Sequence, residues 1–338
     1  MPQGTIAGHI VPDSSFVFYC PGGHTVRPWV ASPTGVGIIN PFLMNNKPYT
    51  DFNTYLRKRY GCRVQKITLD AGLTCPNRDG TISRAGCIYC NPRGSGTGQA
   101  ADGLSITRQL ENAKEPLRKR YKAKKFLAYF QSYTNTYAPV DRLQGLYEQA
   151  VRDPDVVGLS IGTRPDCVPE QVLDMISGMA GHKDIWLEYG LQSAHDRTLD
   201  RINRGHGVAA FADAVRRTRQ RGLPVCVHII LGLPGEGEAE MLDTARYLAG
   251  QDIQAVKIHL LYVVQGTALH RLYAQGGYRC LEQEEYADLA ARFVHILPRE
   301  VIIQRLTGDP HREELVAPLW AVHKQQTLQM IERRMREL

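Results

Sequence analysis

The sequence predicts an α/β fold: a partial (βα)6 TIM-type barrel of parallel strands with a C-terminal helical extension. From residue 63 onward, short apolar segments alternate with amphipathic helical ones, a pattern typical of a parallel sheet covered by helices. Six strands are too few for a complete eight-stranded barrel and suit an open one. Several polar motifs directly follow strands, and in a parallel barrel such positions gather at one end, where active sites form.

The predicted strands are short apolar segments bounded by turn residues. They cover Val64–Leu69, Phe126–Phe130, Val156–Ile161, Ile185–Tyr189, Val225–Leu231 and Val256–Leu261. Helical periodicity separates them, as at Leu143, Leu146 and Tyr147. Asp141 and Pro169 stand where helices are expected to start, and both residue types are favourable there.

Three regions are predicted along the 338 residues: an N-terminal extension at 1–43, a barrel core at 44–280 and a mainly helical extension at 281–338. The first is rich in Gly, Pro, Ser and Thr without periodicity, so we expect it to be poorly ordered. It is either a genuine extension or the result of a start codon assigned too far upstream, because Met44 precedes a helical pattern. The last region has helical patterns at Tyr286–Leu297 and Gln325–Leu338 and room for one further strand at Arg299–Leu306.

The chain is basic, with 41 Lys and Arg against 34 Asp and Glu and a formal net charge of +7. Neither a signal peptide nor an apolar stretch long enough to cross a membrane stands out, so we expect a cytoplasmic protein. A basic excess favours a polyanionic partner such as RNA, whereas basic clusters are also common on solvated helix faces. Both interpretations stay open for the four clusters, Arg57–Arg59, Arg118–Lys125, Arg216–Arg221 and Arg333–Arg336.

Three of the eight cysteines carry the strongest chemical signal. Cys75, Cys87 and Cys90 follow the first strand at C-x11-C-x2-C spacing, which suits three irons of a [4Fe–4S] cube and leaves the fourth iron open for a ligand. Gly80 and Gly86 allow the loop to fold tightly.

The alternative for these cysteines is a zinc site. It would need a fourth ligand, and Cys62 is the nearest cysteine that could provide one. Cys226 and Cys280 stand in structural surroundings, in an apolar strand and after a glycine-rich turn. Cys167, at the end of the third strand, is either a structural thiol or a reactive one.

Further motifs resemble the radical S-adenosylmethionine (SAM) superfamily over roughly residues 50 to 335. The closest resemblance is to the YhcC/YtqA-like family, with more distant similarity to the catalytic subunit of Elongator and to oxygen-independent coproporphyrinogen oxidases. The motifs are Cys-Pro-Asn-Arg-Asp-Gly-Thr at 75–81, Gly-Thr-Arg-Pro-Asp-Cys at 162–167, Gly-Leu-Gln-Ser-Ala-His-Asp at 190–196, Arg-Ile-Asn-Arg-Gly-His at 201–206 and Gly-Leu-Pro-Gly-Glu at 232–236.

The resemblance implies that SAM and a [4Fe–4S] cluster are the cofactors, with Cys75, Cys87 and Cys90 as ligands. It also implies SAM contacts at seven positions: Tyr89, Gln131, Ser132, Gln192, Arg204, His228 and Gly232. Tyr89 would pack on the adenine, and Gln131 with Ser132 would hold the amino group. The chain departs from the family pattern in lacking the usual Gly-Gly motif at Gln131 and a glutamate at Gly162, and in carrying His228 where relatives have aspartate.

The function that the resemblance implies is reductive cleavage of SAM to a 5′-deoxyadenosyl radical, with a protein such as flavodoxin or ferredoxin as reductant. The preferred substrate is tRNA, at a wobble uridine, because the chain is basic and similar to the Elongator subunit. A small metabolite or tetrapyrrole, or a non-catalytic role in binding the cofactors, are the alternatives. The oligomeric state is not predicted.

Two polar features have competing interpretations. Glu188, on the fourth strand, is either a ribose or substrate contact or a core carboxylate paired with Arg164. The sequence Arg164-Pro-Asp166 is expected to form a turn in which Asp166 caps the following helix.

Overall fold

The computed structural model describes residues 47–91, 98–181 and 183–338. Its main element is a parallel sheet of seven strands in the order β1-β2-β3-β4-β5-β6-β8. The strands are β1 (Val64–Leu69), β2 (Lys125–Phe130), β3 (Val156–Thr163), β4 (Asp184–Gln192), β5 (Val225–Leu231), β6 (Ala255–Leu260) and β8 (Ile302–Arg305). A separate antiparallel pair is formed by β7 (Val263–Val264) and β9 (Leu315–Ala317).

Helices connect the strands of the main sheet. They are α1 (Phe52–Tyr60), α2 (Ile106–Tyr121), α3 (Val140–Val151), α4 (Glu170–Met179), α5 (Asp196–Arg201), α6 (Val208–Gln220), α7 (Glu238–Ala249), α8 (Ala268–Ala274), α9 (Gln283–Ile296) and α10 (Lys324–Glu337). Apolar side chains of the helices and of one face of the sheet form one large buried cluster, which includes Leu143, Val172 and Phe211. The other face is concave: Lys66 on β1 contacts Gln304 on β8 at 2.8 Å, although these strands stand at opposite edges. The sheet therefore curls into a half-barrel.

Helix α1 closes the floor of this half-barrel. It starts at an Asp51 cap whose carboxylate accepts the Thr54 amide at 3.0 Å. Its Phe52 and Leu56 pack against inward-facing residues at the amino ends of the strands, among them Trp186. Among the described residues, α1 therefore covers the end where the strands begin and leaves the end where they finish uncovered.

The predicted fold class is confirmed. All six predicted strands form in sequence order, and β1 and β5 have the predicted bounds. The seventh strand, β8, lies within the range predicted for one further strand, 299–306. Helix α4 begins at Glu170, directly after Pro169, and α3 has Asp141 in its first turn.

Some predictions concern regions that the structure does not address. The extension at 1–43 lies outside the described residues, and the division of the chain at residue 280 stays a prediction. Residues 281–338 supply α9 and α10 and also β8 of the main sheet. In the described part of the chain, no helix combines the length and the apolar character needed to cross a bilayer.

Candidate active site

The loop that carries the three cysteines starts six residues after β1 and folds back on itself. The Cys75 carbonyl accepts the Arg78 amide at 2.8 Å, and the Pro76 carbonyl accepts the Ile82 amide at 2.8 Å. Gly80 and Gly86 have φ values of +98° and +70°, in the left-handed region that favours glycine. The expected tight loop is therefore present.

A second segment clamps this loop from outside. Asn203, just after α5, donates its side-chain amide to the Gly86 carbonyl at 2.6 Å, and its own carbonyl accepts the Asn77 side-chain amide at 2.6 Å. The Ile88 amide adds a bond to the Ile202 carbonyl at 3.1 Å. These contacts explain the motif at 201–206: it fixes the loop that places the cysteines.

Two of the three cysteine sulfurs face N–H donors, which suits thiolate ligands of a metal cluster. Arg78 Nη1 donates to Cys90 Sγ at 3.2 Å, while Asn77 Nδ2 and Arg204 Nη1 each lie 3.7 Å from Cys87 Sγ. Burial and the neighbouring Cys87 raise the pKa of Cys90, and Arg78 opposes that rise. All three cysteines are free of disulfides. The donor set therefore fits a [4Fe–4S] cluster, whose sulfurs are tuned by such hydrogen bonds.

The zinc alternative with Cys62 is wrong. Cys62 lies before β1 and packs with the apolar floor around Phe52, whereas Cys75 lies beyond the other end of the strand. A six-residue strand spans about 20 Å at roughly 3.3 Å per residue. Sulfurs that share one zinc ion, each about 2.3 Å from it, cannot be separated by that distance.

Gln192 and Arg204, both expected to contact SAM, lie side by side over Gly190. A Cβ atom at residue 190 would stand 2.6 Å from Arg204 Nη2 and 2.6 Å from Gln192 Nε2, so only glycine leaves room for the two side chains. Arg204 is 8% exposed and donates to the Gly190 carbonyl at 2.7 Å. Gln192 has a φ of +78°, a strained value for a residue with a side chain, and β4 is bulged here.

His206 joins this group, a position to which no pattern in the sequence assigns a role. Its Nε2 lies 3.2 Å from the Gly190 carbonyl. Burial and the charge of Arg204 lower the pKa of His206 to about 3, so the imidazole is neutral at physiological pH. Burial opposes the charge of Arg204, but the Cys87 thiol and the Tyr89 phenol raise the pKa of Arg204, so its guanidinium is charged.

The remaining predicted SAM contacts lie at the same end of the sheet. Gln131 and Ser132 directly follow β2, and the Ser132 hydroxyl is buried with no partner among the described residues. Tyr89 packs between the cysteine loop and a small apolar cluster that includes Leu233. Gly232 follows β5 with a φ of +88°, and its carbonyl accepts the Tyr278 hydroxyl at 2.8 Å.

Inside the half-barrel, Glu188 is fully buried and bonded to three other groups. Lys66 Nζ and His228 Nε2 each lie 2.8 Å from its carboxylate, and Lys257 also donates to it. Although burial opposes ionisation, these partners hold the pKa of Glu188 well below its usual range. The predicted Glu188–Arg164 pair is therefore wrong.

His228, in the middle of β5, is directed at Glu188 through its Nε2. Burial and Lys257 lower its pKa to about 4, so the ring is neutral. Ligand atoms of Glu188, Cys226 and His228 lie within 4.8 Å of one another, a spacing that a metal ion could use. Two ammonium groups on the same carboxylate make this an unfavourable place for a cation.

Arg164 pairs with Asp166 in a bidentate bridge, the shorter contact being 2.7 Å, and donates to the Arg204 carbonyl at 2.7 Å. The predicted helix cap by Asp166 is wrong, because α4 is preceded by Pro169 with no side-chain cap. Arg164 instead stabilises the backbone at Arg204 by donating to its carbonyl.

Cys167 lines a pocket of about 730 Å³ beside the cysteine loop, with Pro76, Ile82 and Tyr137 among the other lining residues. Burial and the neighbouring Asp166 raise the pKa of Cys167 to about 12, so the thiol is protonated at physiological pH. The structural interpretation of this cysteine is therefore favoured over a reactive one.

The basic clusters do not surround the site. Three of them stand at the carboxyl ends of α1, α2 and α6, and in alternating βα units those ends lie beside the floor of the barrel. Many of their side chains form ion pairs with acidic neighbours, such as Arg118 with Asp155 at 2.6 Å. At the open end, by contrast, several exposed arginines have no ion pair with a described residue, among them Arg84, Arg142, Arg201, Arg271 and Arg312.

Comparison with known proteins identifies the family. The profile described as "Radical SAM superfamily" matches residues 75–248, and the profile described as "Radical_SAM C-terminal domain" matches residues 253–337. The uncharacterized protein YtqA of Bacillus subtilis is 41% identical over 293 residues, which cover 86% of this chain and 90% of YtqA.

Two further comparisons concern Elongator proteins. Elongator complex protein 3 of Saccharomyces cerevisiae is 30% identical over 156 residues, which are 45% of this chain and 28% of that protein. The structure of the archaeal Methanocaldococcus infernus Elp3, with an N-terminal deletion, matches with a TM-score of 0.61 at 18% identity, covering 80% of this chain and 63% of that one. This structural match shows a shared fold. On the strength of the profile and the YtqA match, the chain belongs to the radical SAM superfamily, whose members use a [4Fe–4S] cluster and SAM.

Proposed function

We propose that this protein reductively cleaves SAM at a [4Fe–4S] cluster held by Cys75, Cys87 and Cys90, and that it modifies tRNA at a wobble uridine. The observation that carries the first part is the clamped loop in which N–H donors converge on the Cys87 and Cys90 sulfurs. When bound, the cofactors supply an electron and a 5′-deoxyadenosyl radical that abstracts a hydrogen atom from the substrate.

The protein's own residues position the cofactors and exclude water. Arg204 places a buried positive charge beside Cys87, and Gln192 extends next to it over Gly190. Tyr89 and Gly232 would bound the adenine side. Gln131 and Ser132 would face the amino group, and the unpartnered Ser132 hydroxyl is free to bond it. His228 would contact SAM only through the ring atoms that Glu188 leaves available.

SAM cleavage is tested on anaerobically reconstituted protein reduced with dithionite. The wild type should form 5′-deoxyadenosine, and Cys87→Ala should not. Cys62→Ala is the matched control, because Cys62 is a free cysteine that lies before β1 in the apolar floor, at the other end of that strand from the loop. A wild type that holds a cluster and forms no 5′-deoxyadenosine, even with tRNA present, would support the non-catalytic alternative.

The tRNA substrate is supported by two observations. Exposed arginines that have no ion pair with a described residue, among them Arg84 and Arg271, lie at the end of the half-barrel opposite the α1 floor, and the chain as a whole carries a net charge of +7. Sequence similarity to Elongator complex protein 3 adds to this. The floor clusters do not support this proposal, because they stand at helix ends beside the floor, away from the cysteine loop.

The substrate is tested by comparing modified nucleosides in tRNA from cells with and without the gene. Loss of one wobble-uridine modification is expected. In binding assays, Arg84→Gln with Arg271→Gln should weaken tRNA affinity and reduce the slope of log K against log salt by up to about 0.9 per lost phosphate contact. Arg216→Gln, at the floor, should leave both unchanged. An unchanged nucleoside profile would favour a small metabolite or tetrapyrrole instead.

The proposal also includes a redox partner and a cellular location. Electrons would come from a cytoplasmic reductant protein such as flavodoxin or ferredoxin, since the described residues contain no second cysteine group of the same kind. A cytoplasmic location is consistent with seven free cysteines in the described chain.

A further inference from the structure

Arg305 is a charged residue inside the half-barrel that the functions described so far do not use. It ends β8, and its backbone pairs with that of Lys257 across a bulge in the β6–β8 ladder. A bulge re-aims side chains, so Gln304 and Arg305 can both reach the concave face. Arg305 is half-buried and makes no hydrogen bond or ion pair with any residue that the structure describes.

The interior around Arg305 holds more positive charge than negative. Three cations, Lys66, Lys257 and Arg305, share the single carboxylate of Glu188, which already bonds both lysines. Burial, together with the charges of Lys66 and Arg305, lowers the pKa of Lys257 to about 7 against the attraction of Glu188. Buried cations are normally matched by anions, and here three cations face one carboxylate among the described residues.

Unpartnered hydrogen-bonding atoms lie in the same place. His259 Nε2 and Gln304 Nε2 are buried and have no partner among the described residues. The His259 ring stacks on His228, with ring centres 5.2 Å apart. Burial and the charge of Arg305 hold the pKa of His259 well below its usual range, so the ring is neutral and one nitrogen carries an N–H.

These observations lead to one conclusion. We infer that Arg305, Lys257 and His259 form a subsite for an oxyanion of the substrate, a carboxylate or a phosphate. The guanidinium fork suits two oxygens of such a group, and the His259 N–H and the Gln304 amide can donate to them. The inference rests on the proposed function, in that the anion belongs to the molecule on which the radical acts.

The location of the subsite agrees with this role. Arg305 lies at the carboxyl end of β8, the end at which the cysteine loop leaves β1. The α1 floor blocks the other end. An anionic group that enters past the cysteines would therefore reach Arg305 while the rest of the substrate stays near the cluster loop.

The test uses anaerobically reconstituted holoenzyme and two probes, inorganic phosphate and acetate, titrated separately by calorimetry. Wild type and Arg299→Met should bind one of the probes equally, and Arg305→Met should bind it about tenfold to a hundredfold more weakly. Arg299 is the matched control because it is exposed and lies before β8, at the floor end. Binding of phosphate alone indicates a phosphate-bearing substrate, and binding of acetate indicates a carboxylate.

Further measurements distinguish an oxyanion subsite from the alternative roles of Arg305. Arg305→Lys keeps the charge without the fork and should weaken binding by less than Arg305→Met. The affinity for SAM should be the same in wild type and Arg305→Met, whereas a tenfold loss would assign Arg305 to the SAM carboxylate and overturn the inference. Failure of the wild type to bind either probe, or equal binding by Arg305→Met, would also overturn it. SAM cleavage by the wild type, measured separately, shows whether the proposed function itself holds.

Discussion

Replacing Arg204 with methionine removes the buried positive charge beside Cys87 while keeping an apolar side chain of similar length. Arg204 Nη1 stands 3.7 Å from Cys87 Sγ, and the side chain is 8% exposed. Two unit charges at about 4 Å interact by about 4 kcal/mol at an effective dielectric constant of about 20. The electron that a cluster gains on reduction is spread over the whole cluster. Only a fraction of the interaction energy with Arg204, roughly 1.5 kcal/mol, would therefore stabilise the reduced state.

The expected result is a lower reduction potential for the cluster. At about 59 mV for each 1.4 kcal/mol in a one-electron couple, the loss corresponds to about 60 mV. The potential is measured by redox titration of reconstituted protein, followed by electron paramagnetic resonance. Arg204→Lys retains the charge and should shift the potential by less than half as much.

The control is Arg197→Met, because Arg197 lies on α5 close in sequence but is exposed and paired with Glu240 at 2.6 Å. Its potential should equal that of the wild type. A potential for Arg204→Met within about 10 mV of the wild type, in protein with native circular dichroism, would refute the electrostatic role of Arg204.

Three further changes test the fold around the site. Glu188→Gln should lower the free energy of unfolding by about 3–5 kcal/mol, because it leaves buried lysines without their carboxylate. Adding Lys257→Met should restore part of that loss, and thermal unfolding measures both effects. Lys257 has a folded pKa of about 7, below the ordinary 10.5, so the unfolded chain binds more protons between these values. As pH rises from 7.5 to 9.5, the free energy of unfolding of the wild type should therefore increase relative to that of Lys257→Met by up to about 1.4 kcal/mol per pH unit. Identical dependence of stability on pH in the two proteins would contradict this. Gly232→Ala should lower the melting temperature and weaken SAM binding, because φ at this position is +88° and the new methyl group would stand 3.2 Å from Leu281. The control is Gly178→Ala, on an exposed helix surface with open space around it, which should do neither.

The strands and the cysteine loop could be predicted because their signals are local. Val64–Leu69 and Val225–Leu231 are short apolar runs between turn residues, and three cysteines with two loop glycines stand close in sequence. β8 has only four residues, and its pairing with β6 is long-range, so the sequence indicated it only as room for one more strand.

The polar partners could not be predicted in the same way, because they depend on how distant strands meet. The convergence of Arg204 and Gln192 requires the absence of a side chain at Gly190, and spacing does not reveal that. A signal for the interior charges was present: Lys66 and Lys257 interrupt apolar strands, and alternation along a strand would have turned both inward.

The basic clusters show a different limit of sequence reasoning. Lys and Arg are favoured at the carboxyl ends of helices, where they interact with the helix dipole. The clusters on α1, α2 and α6 occupy such ends. Counting charge along the sequence emphasises such runs, whereas single arginines at the open end, such as Arg84, do not stand out in it.

The central claim is that Cys75, Cys87 and Cys90 together hold an iron–sulfur cube. The most direct measurement is the iron, sulfide and zinc content of anaerobically purified protein, compared with the variant in which these three cysteines are alanine. We expect about four irons and four sulfides per chain in the wild type and none in the variant. One zinc per chain without sulfide, or iron that remains bound to the variant, would contradict the claim.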